Sequence, residues 1–382
     1  MANKSSLFYA KRYRVSTAKR IFIDTPKSIM VLILRYKNYI NPKLTYYPEV
    51  RHKSSFAVFV DQVKFILKYG FINNEYYTYG LDVRGGEIKQ FDFVPERINI
   101  DNLLIQNRNY LSKESRAFSY YNHLCLLRDK WVFSKIMEGV GLPVPKSIGV
   151  IINKQFIKNG YYEAEDLSEL CNTDCNVLLK PVSGNSGKGI IHLIIKSGRV
   201  FIKDKNVLIE DLKRILCDDV YIVQEFITNQ HSAMNALFSG AVNTLRVTMV
   251  RTDKGIELMG VMCLMGAHYA EYSNWHYGGV CINVKQDGCL DKYGFSFSDK
   301  RIVCHPDSGV VFDGYQIPYY ESAIKMAKKA TTLFYGIKAI GWDLAITENG
   351  PVFIEGNDGW GIQAHQMVEH RGWKQQYENC FK

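Results

Sequence analysis

The stretch Gly341-Trp-Asp343-Leu-Ala-Ile-Thr-Glu348-Asn349-Gly350-Pro-Val-Phe-Ile-Glu355-Gly-Asn357 reads as two apolar strands joined by a tight turn, with three oxygen-bearing side chains at one end. Successive strand side chains point to opposite faces, so Glu355 and Asn357 share one. Asp343 joins them only if the turn has an odd number of residues. Glu348-Asn349-Gly350 suits a three-residue loop with Gly350 in the left-handed position, a register that pairs Asp343 with Glu355. Two carboxylates and an amide oxygen on one face are hard ligands. They are too few to enclose calcium and suit magnesium that keeps waters and grips phosphates. The competing reading is a surface hairpin whose acids are solvated.

Upstream, Val177-Leu-Leu-Lys180-Pro-Val-Ser183-Gly184-Asn-Ser186-Gly187-Lys188-Gly189-Ile-Ile is a glycine-rich loop between two apolar strands. A Walker loop needs Ser or Thr after the lysine and then a helix, whereas Gly189 follows Lys188 here and a β-branched strand follows that. A flap over phosphates fits better, because glycines let backbone amides approach the oxygens while Lys180 and Lys188 supply charge. Many such hairpin loops bind nothing.

Between these two features lie Val220 to Asn229, an apolar strand ending in polar residues; Asn243-Thr-Leu-Arg246 at the start of another strand; and Ser-Asn274-Trp-His276-Tyr-Gly278-Gly279. A strand end can read adenine through backbone groups. Arg246 can stabilise a transferring phosphoryl group or simply pair with an acid. The paired glycines imply close backbone approach. His276 has no Cys or His at zinc spacing and reads as a loop residue.

With 382 residues, 47% of them hydrophobic, the chain is globular and large enough for two or three domains. Its nine cysteines form no zinc or disulfide framework; Cys171 and Cys175, with three residues between them, miss the C-x-x-C spacing. The first twenty residues lack the apolar core of a secretory signal, so a reducing cytoplasm is the expected location. The run from Ile29 to Leu34 is far too short to span a bilayer.

Charge is uneven. Residues 1–53 hold twelve Lys or Arg against Asp24 and Glu49, so this segment carries +10, the whole formal net charge. Such a segment suits an anionic membrane, an acidic glycan, a sugar phosphate or nucleic acid, or is a solvated helix face. No nucleic-acid motif accompanies it, so nucleic acid ranks last and steering of an anionic acceptor first.

Residues 15–110 read as helix and loop, with Phe56, Val60, Val63, Phe65 and Ile66 at helical spacing. A helix is expected from Asp129 to Val140, closed by Gly141, Pro143 and Pro145.

The order of parts, a helix opening with Asp129-Lys130, a strand lysine with a glycine-rich flap, a Glu-Phe-Ile hinge, Asn-x-x-Arg, Asn-x-His-x-Gly-Gly, then Asp and Glu-x-Asn on a hairpin, resembles the ATP-grasp superfamily over roughly residues 120–365. Asn243-Thr-Leu-Arg246 and Gly341-Trp-Asp343 look most like its sugar-transfer-associated group, thought to act in surface-polysaccharide assembly. The resemblance implies an α+β fold: two α+β lobes clamping ATP, over 121–225 and 226–382, after a basic, mainly helical region over 1–120. It implies that Lys130 and Lys180 contact the ATP phosphates. The flap residues Ser183, Gly184, Ser186, Gly187, Lys188 and Gly189 would cover them, and Gln224, Glu225, Phe226 and Ile227 would hold adenine. Asp343, Glu355 and Asn357 would bind Mg2+. Asn243, Arg246, Asn274, His276, Gly278 and Gly279 would meet substrate, with Arg246, Lys188 and Asn274 taking part in the chemistry. Glu355-Gly-Asn-Asp-Gly-Trp360 departs from peptide ligases, which often have Pro-Gly after the asparagine, and Trp360 is expected to shape an acceptor pocket.

The implied reaction is ATP-dependent ligation of a carboxylate and an amine through an acyl phosphate, releasing ADP and phosphate. One partner would be a sugar or lipid-linked sugar, with peripheral contact to an anionic membrane. A phosphotransferase acting on a hydroxyl and a nucleotide-binding regulator are the rival readings.

Overall fold

The computed structural model describes residues 19–86, 88–100, 123–160, 163–183, 187, 189–216, 220–268, 278–296 and 300–381. The chain divides into two compact units, 1–99 with 362–382, and 100–361.

In the first unit, helix α1 (Thr25–Leu34) lies on helix α2 (Ser55–Tyr69), where Thr25 Oγ1 donates to the Ile66 carbonyl and Ser28 Oγ to that of Gly70, at 3.5 and 2.8 Å. Ser54 caps α2 by accepting from the Ala57 amide, and Gly70 ends it at φ +82°, a left-handed turn that favours glycine. The buried stripe of α2 is Val58, Gln62, Phe65 and Ile66. The expected stripe is therefore corrected in part: Phe56 is exposed, Val60 and Val63 are half-buried, and Gln62 is inside. Gln62 is tolerated there because its amide exchanges two 3.0 Å hydrogen bonds with the Asn73 backbone. The C-terminal helices Ile362–Val368 and Lys374–Phe381 belong to this unit. Buried Gln366 joins them to it, accepting from the Val94 and Trp373 amides and donating to the Val94 carbonyl.

The second unit opens with helix α3 (Lys130–Gly139), capped by Asp129, whose carboxylate accepts from the Trp131 and Val132 amides. Gly141 (φ +69°) follows its end. An eight-stranded antiparallel sheet comes next, ordered β3-β2-β1-β8-β4-β5-β6-β7. Its strands are β1 (Ser147–Ile152), β2 (Gln155–Lys158), β3 (Glu165–Asp166), β4 (Cys175–Pro181), β5 (Ile191–Lys196), β6 (Arg199–Ile202), β7 (Lys205–Val207) and β8 (Tyr221–Glu225). The short helix α4 (Ser232–Leu237) leads to a seven-stranded antiparallel sheet, ordered β13-β12-β11-β10-β9-β14-β15. Its strands are β9 (Thr244–Thr252), β10 (Gly255–Met265), β11 (Val280–Val284), β12 (Leu290–Ser296), β13 (Lys300–Ile302), β14 (Ala339–Thr347) and β15 (Gly350–Asn357).

Helix α5 (Tyr320–Leu333) covers one face of this second sheet, its small Ala323, Ala327 and Ala330 packed into the core. Alternation along β14 then assigns its residues: Ile340, Trp342, Leu344 and Ile346 enter that core, and the residues between them face the other way. Trp342 reaches the Thr331 hydroxyl of α5 at 2.8 Å, satisfying its only polar atom. Phe133 and Met137 of α3 join the same core. The face left over carries the chemistry.

Candidate active site

The hairpin keeps the anticipated register by a different route. Thr347 pairs with Gly350, so Glu348-Asn349 is a two-residue turn, and the ladder runs regularly to Leu344 opposite Phe353. There it slips, and Asp343 faces Glu355. The three-residue loop is thus corrected: Ile354 is the extra residue, a bulge in β15 that restores the parity an even turn loses. Gly350 does take a positive φ, +112°.

Asp343, Glu355 and Asn357 consequently converge, with Asn357 Nδ2 3.2 Å from Asp343 Oδ2 and 3.1 Å from Glu355 Oε1. Across the other neighbour of β14, Arg246 pairs with Asp343. Its Nε and Nη2 donate to the two carboxylate oxygens, each at 2.7 Å. Burial opposes the charge on Arg246, yet Asp343 and then Glu355 hold its guanidinium above the ordinary value. For Asp343, burial raises the carboxyl above its usual range against the pull of Arg246, and Glu355 adds to the rise. Two carboxylates on one rung, one of them buried, form a donor set that a divalent cation would relieve. Each carboxylate oxygen keeps a lone pair beyond those Arg246 uses, and the Asn357 amide can present its oxygen by rotation, so the residues fit a hard cation such as Mg2+. Among the described residues no group of three His, Cys, Asp or Glu side chains could hold a metal, so an amide ligand is needed for such a site.

Lys180, on β4, is nearly buried and donates to Gln224 Oε1 at 3.2 Å. Gln224 is itself fixed by donating to Ser134 Oγ of α3 and to the Pro145 carbonyl, both at 3.3 Å. Burial lowers the Lys180 ammonium to about 8; Glu355 pulls it back up and Lys130 pushes it further down. The first sheet's lysine thus feels the charge of the second sheet's carboxylate. Lys130 stands at the first turn of α3, its amide donating to the Val182 carbonyl at the start of the flap. A cation at a helix N-terminus opposes the helix dipole, and a second cation beside it adds repulsion, an arrangement that a polyanion would relieve.

The flap is the β4–β5 connection, where Leu179 pairs with Ile191. Ser183 is exposed, and Gly187 and Gly189 have φ of +76° and +75°. A Cβ on Gly189 would lie 2.9 Å from Pro181 Cγ, so the flap closes on its own root only with glycine there. Gly184, Ser186 and Lys188, like Asn274 and His276, lie outside the described residues.

At the end of β8 the backbone offers less than anticipated. The Glu225 amide donates to the Lys146 carbonyl and that of Phe226 to the Asn176 carbonyl, both at 2.9 Å, so neither is open to a base. The Phe226 ring stacks on His192 of β5, with centroids 4.4 Å apart. His192 was not anticipated; its only signal is its position at the head of the strand after the flap.

Two expected substrate residues are corrected. Asn243 is fully buried, and its Nδ2 donates to the Met234 and Phe238 carbonyls, both at 2.7 Å, closing the end of α4. Trp360 is also fully buried, against Gly341, where an added Cβ would come within 2.5 Å of its own. Asn243 supports the site from behind, whereas Trp360 lies on the same face of the sheet as Asp343 and Arg246 but is enclosed there. Gly278 (φ +94°) and buried Gly279 lead into β11, on the far side of β10 from Arg246. The ion pair of Arg128 with Asp358, at 2.6 Å, was missed, though each adjoins a residue singled out in the sequence, Asp129 and Asn357.

Residues 107–382 match the family described as sugar-transfer associated ATP-grasp. No curated protein matches the sequence. Among solved structures, the chain is similar to D-alanine–D-alanine ligase from Bacillus anthracis, with 13% identity and a TM-score of 0.39 over 67% of this chain and 66% of that one. The N5-carboxyaminoimidazole ribonucleotide synthetase of Thermotoga maritima gives 15% identity and a TM-score of 0.36 over 73% and 56%. The L-amino acid ligase of Bacillus licheniformis gives 12% and 0.40 over 70% and 50%. The matched part thus spans half to two thirds of those chains, and likenesses this distant carry no inference about activity. With well over half of its length matched by the family model, this chain belongs to the sugar-transfer associated ATP-grasp family.

Proposed function

We propose that the protein is an ATP-dependent carboxylate–amine ligase that joins an amino acid to a uronic acid or amino sugar during assembly of a surface polysaccharide. The observation that carries this reading is the rung on which Glu355, Asp343 and Arg246 stand, with Asn357 bonded to both carboxylates and with Lys180 near enough for the charges of Glu355 and Lys130 to act on it. The lysines, on this reading, serve the phosphates and the carboxylates serve a hard cation.

In this reading the phosphate-binding lobe runs over 121–225 and the metal lobe over 226–361, because residues 362–382, expected in that lobe, belong to the first unit. Lys130 and Lys180 hold the ATP phosphates, the flap from Ser183 to Gly189 excludes water, and Phe226, Ile227 and His192 border the base. A carboxylate oxygen of one substrate attacks the γ-phosphorus, the bond to the ADP oxygen breaks, and an acyl phosphate forms. The amine then attacks the acyl carbon, phosphate leaves, and the amine loses a proton to give the amide. Arg246, anchored by Asp343, faces the negative charge on the acyl phosphate and its tetrahedral adduct. Mg2+ held by Asp343, Glu355 and Asn357 would offset charge on the phosphates. No side-chain nucleophile is required.

The test is Mg2+-dependent ADP release by the purified protein against a matrix of uronic acids, amino sugars and amino acids, with mass spectrometry of the products and Glu355→Ala as control. Turnover requiring both a carboxylate and an amine, with a product one water lighter than their sum, supports the ligase. ADP formed with a single hydroxyl compound and a phosphorylated product moves the assignment to a kinase.

A further inference from the structure

Helix α1 is apolar on two sides. Thr25 and Leu32 are buried, while Ile23 just before the helix, and Met30, Ile33 and Leu34 within it, are exposed. At about 100° per residue, positions 23, 30 and 34 fall within roughly 40° of one another and on the side away from 25 and 32. The preceding turn, Arg20–Asp24, adds Ile21 and Phe22, and exposure reaches 78% at Phe22 and 74% at Leu34. Scattered exposed apolar residues are ordinary, but Ile23, Met30 and Leu34 in line, with Ile33 beside them, are a concentration of the kind that marks a contact surface.

The charges at this patch identify the partner. Lys19, Arg35 and Lys37 are exposed beyond its ends, Lys27 is exposed in line with Ile23, Met30 and Leu34, and Asp24 is the only acid between residues 19 and 48. This is the same segment, 1–53, that carries the chain's +10. Two copies meeting through this face would bring those charges together within about a Debye length, where repulsion is least screened. An anionic surface would instead neutralise them. No helix among the described residues is long and apolar enough to cross a membrane, so the contact would lie in the plane of the bilayer.

We propose that the exposed face of α1, with Ile23, Met30, Ile33 and Leu34, docks in the headgroup boundary of an anionic bilayer, with Lys19, Lys27, Arg35 and Lys37 set against the lipid phosphates. This does not depend on the ligase reading, because its readout is binding and not turnover.

The experiment is co-sedimentation of the full chain with phosphatidylcholine vesicles, with and without phosphatidylglycerol. Wild type pellets with the phosphatidylglycerol vesicles, less so as salt rises, and poorly with phosphatidylcholine alone. Met30→Asp with Leu34→Asp lowers partitioning at least about tenfold, while far-UV circular dichroism stays unchanged because both side chains are exposed. Arg35→Glu with Lys37→Glu, both past the end of α1, leaves the apolar face intact and lowers it roughly fivefold or more per charge. Failure of wild type to pellet with anionic vesicles overturns the proposal, as does wild-type partitioning by both double variants. A wild-type dimer that the Met30→Asp/Leu34→Asp variant renders monomeric, with no vesicle binding, would assign the face to self-association instead.

Discussion

Arg246 and Asp343 occupy one rung between β9 and β14 and share two parallel 2.7 Å hydrogen bonds, with Glu355 next on the same rung. The pair is largely buried, so its two charges depend on each other more than a surface pair's would. Arg246 thereby steadies a carboxylate that burial and Glu355 would otherwise push towards protonation.

Removing the arginine alone leaves that carboxylate buried without its cation. Arg246→Met is expected to cost about 3–5 kcal/mol of stability, read by urea denaturation, and to abolish turnover. Adding Asp343→Leu to it should recover much of the stability and none of the activity. Equal stability of Arg246→Met and wild type would show the pair to be dispensable for folding.

Lys180 gives a pH dependence. Its ammonium loses its proton near 8 in the folded protein, against an ordinary value of 10.5, because it is buried. Between those values the unfolded chain binds more protons than the folded one, so this residue's contribution to stability rises with pH across that window. Bound phosphates favour the charged form, so ATP affinity should be flat below about pH 8 and weaken above it, by up to about tenfold per pH unit. Calorimetric titration between pH 7 and 9 in buffers of differing ionisation heat checks this, as proton uptake on binding at the upper end. Lys180→Met should remove the dependence.

Gln224 holds Lys180 to α3. Gln224→Leu strips Lys180, Ser134 and the Pro145 carbonyl of a partner, for about 1–3 kcal/mol of lost stability. The KM for ATP should rise while kcat changes less, because the lysine is displaced rather than removed. Steady-state kinetics with ATP varied separates the two.

Trp360 and Asn243 act through packing. Trp360→Ala is expected to cost about 3–5 kcal/mol, and Asn243→Ala about 1–3 kcal/mol through its two lost carbonyl contacts. Trp360→Phe should lower the melting temperature and leave the KM for either organic substrate within about twofold, since the side chain is fully enclosed. A specific rise in one KM at unchanged stability would return Trp360 to the acceptor pocket.

Much of the site was legible because strand alternation is a local property. Glu355 and Asn357 had to share a face, the flap lysine had to lie on a strand, and Asp129 had to cap a helix, whatever surrounded them. The order of these parts along the chain also marked the ATP-grasp fold before any packing was considered. Charge was equally local, and its concentration in residues 1–53 is a fact of composition.

What alternation could not supply was the relation between strands. The partner of Asp343 depends on a bulge at Ile354 that offsets an even turn, and two equal slips cancel without trace in the spacing. The salt bridge to Arg246 depends on β14 lying beside β9, nearly a hundred residues away, a choice made by how the sheet covers α5. Burial is likewise decided by what lies opposite. Asn243 and Trp360 look like ligand-binding residues by type, and Phe56 looks like core, yet the fold encloses the first two and exposes the third. Sequence by itself determined the fold family and which side chains could do chemistry. Only the tertiary structure decided which of them meet, because register and cover arise from contacts between segments far apart along the chain.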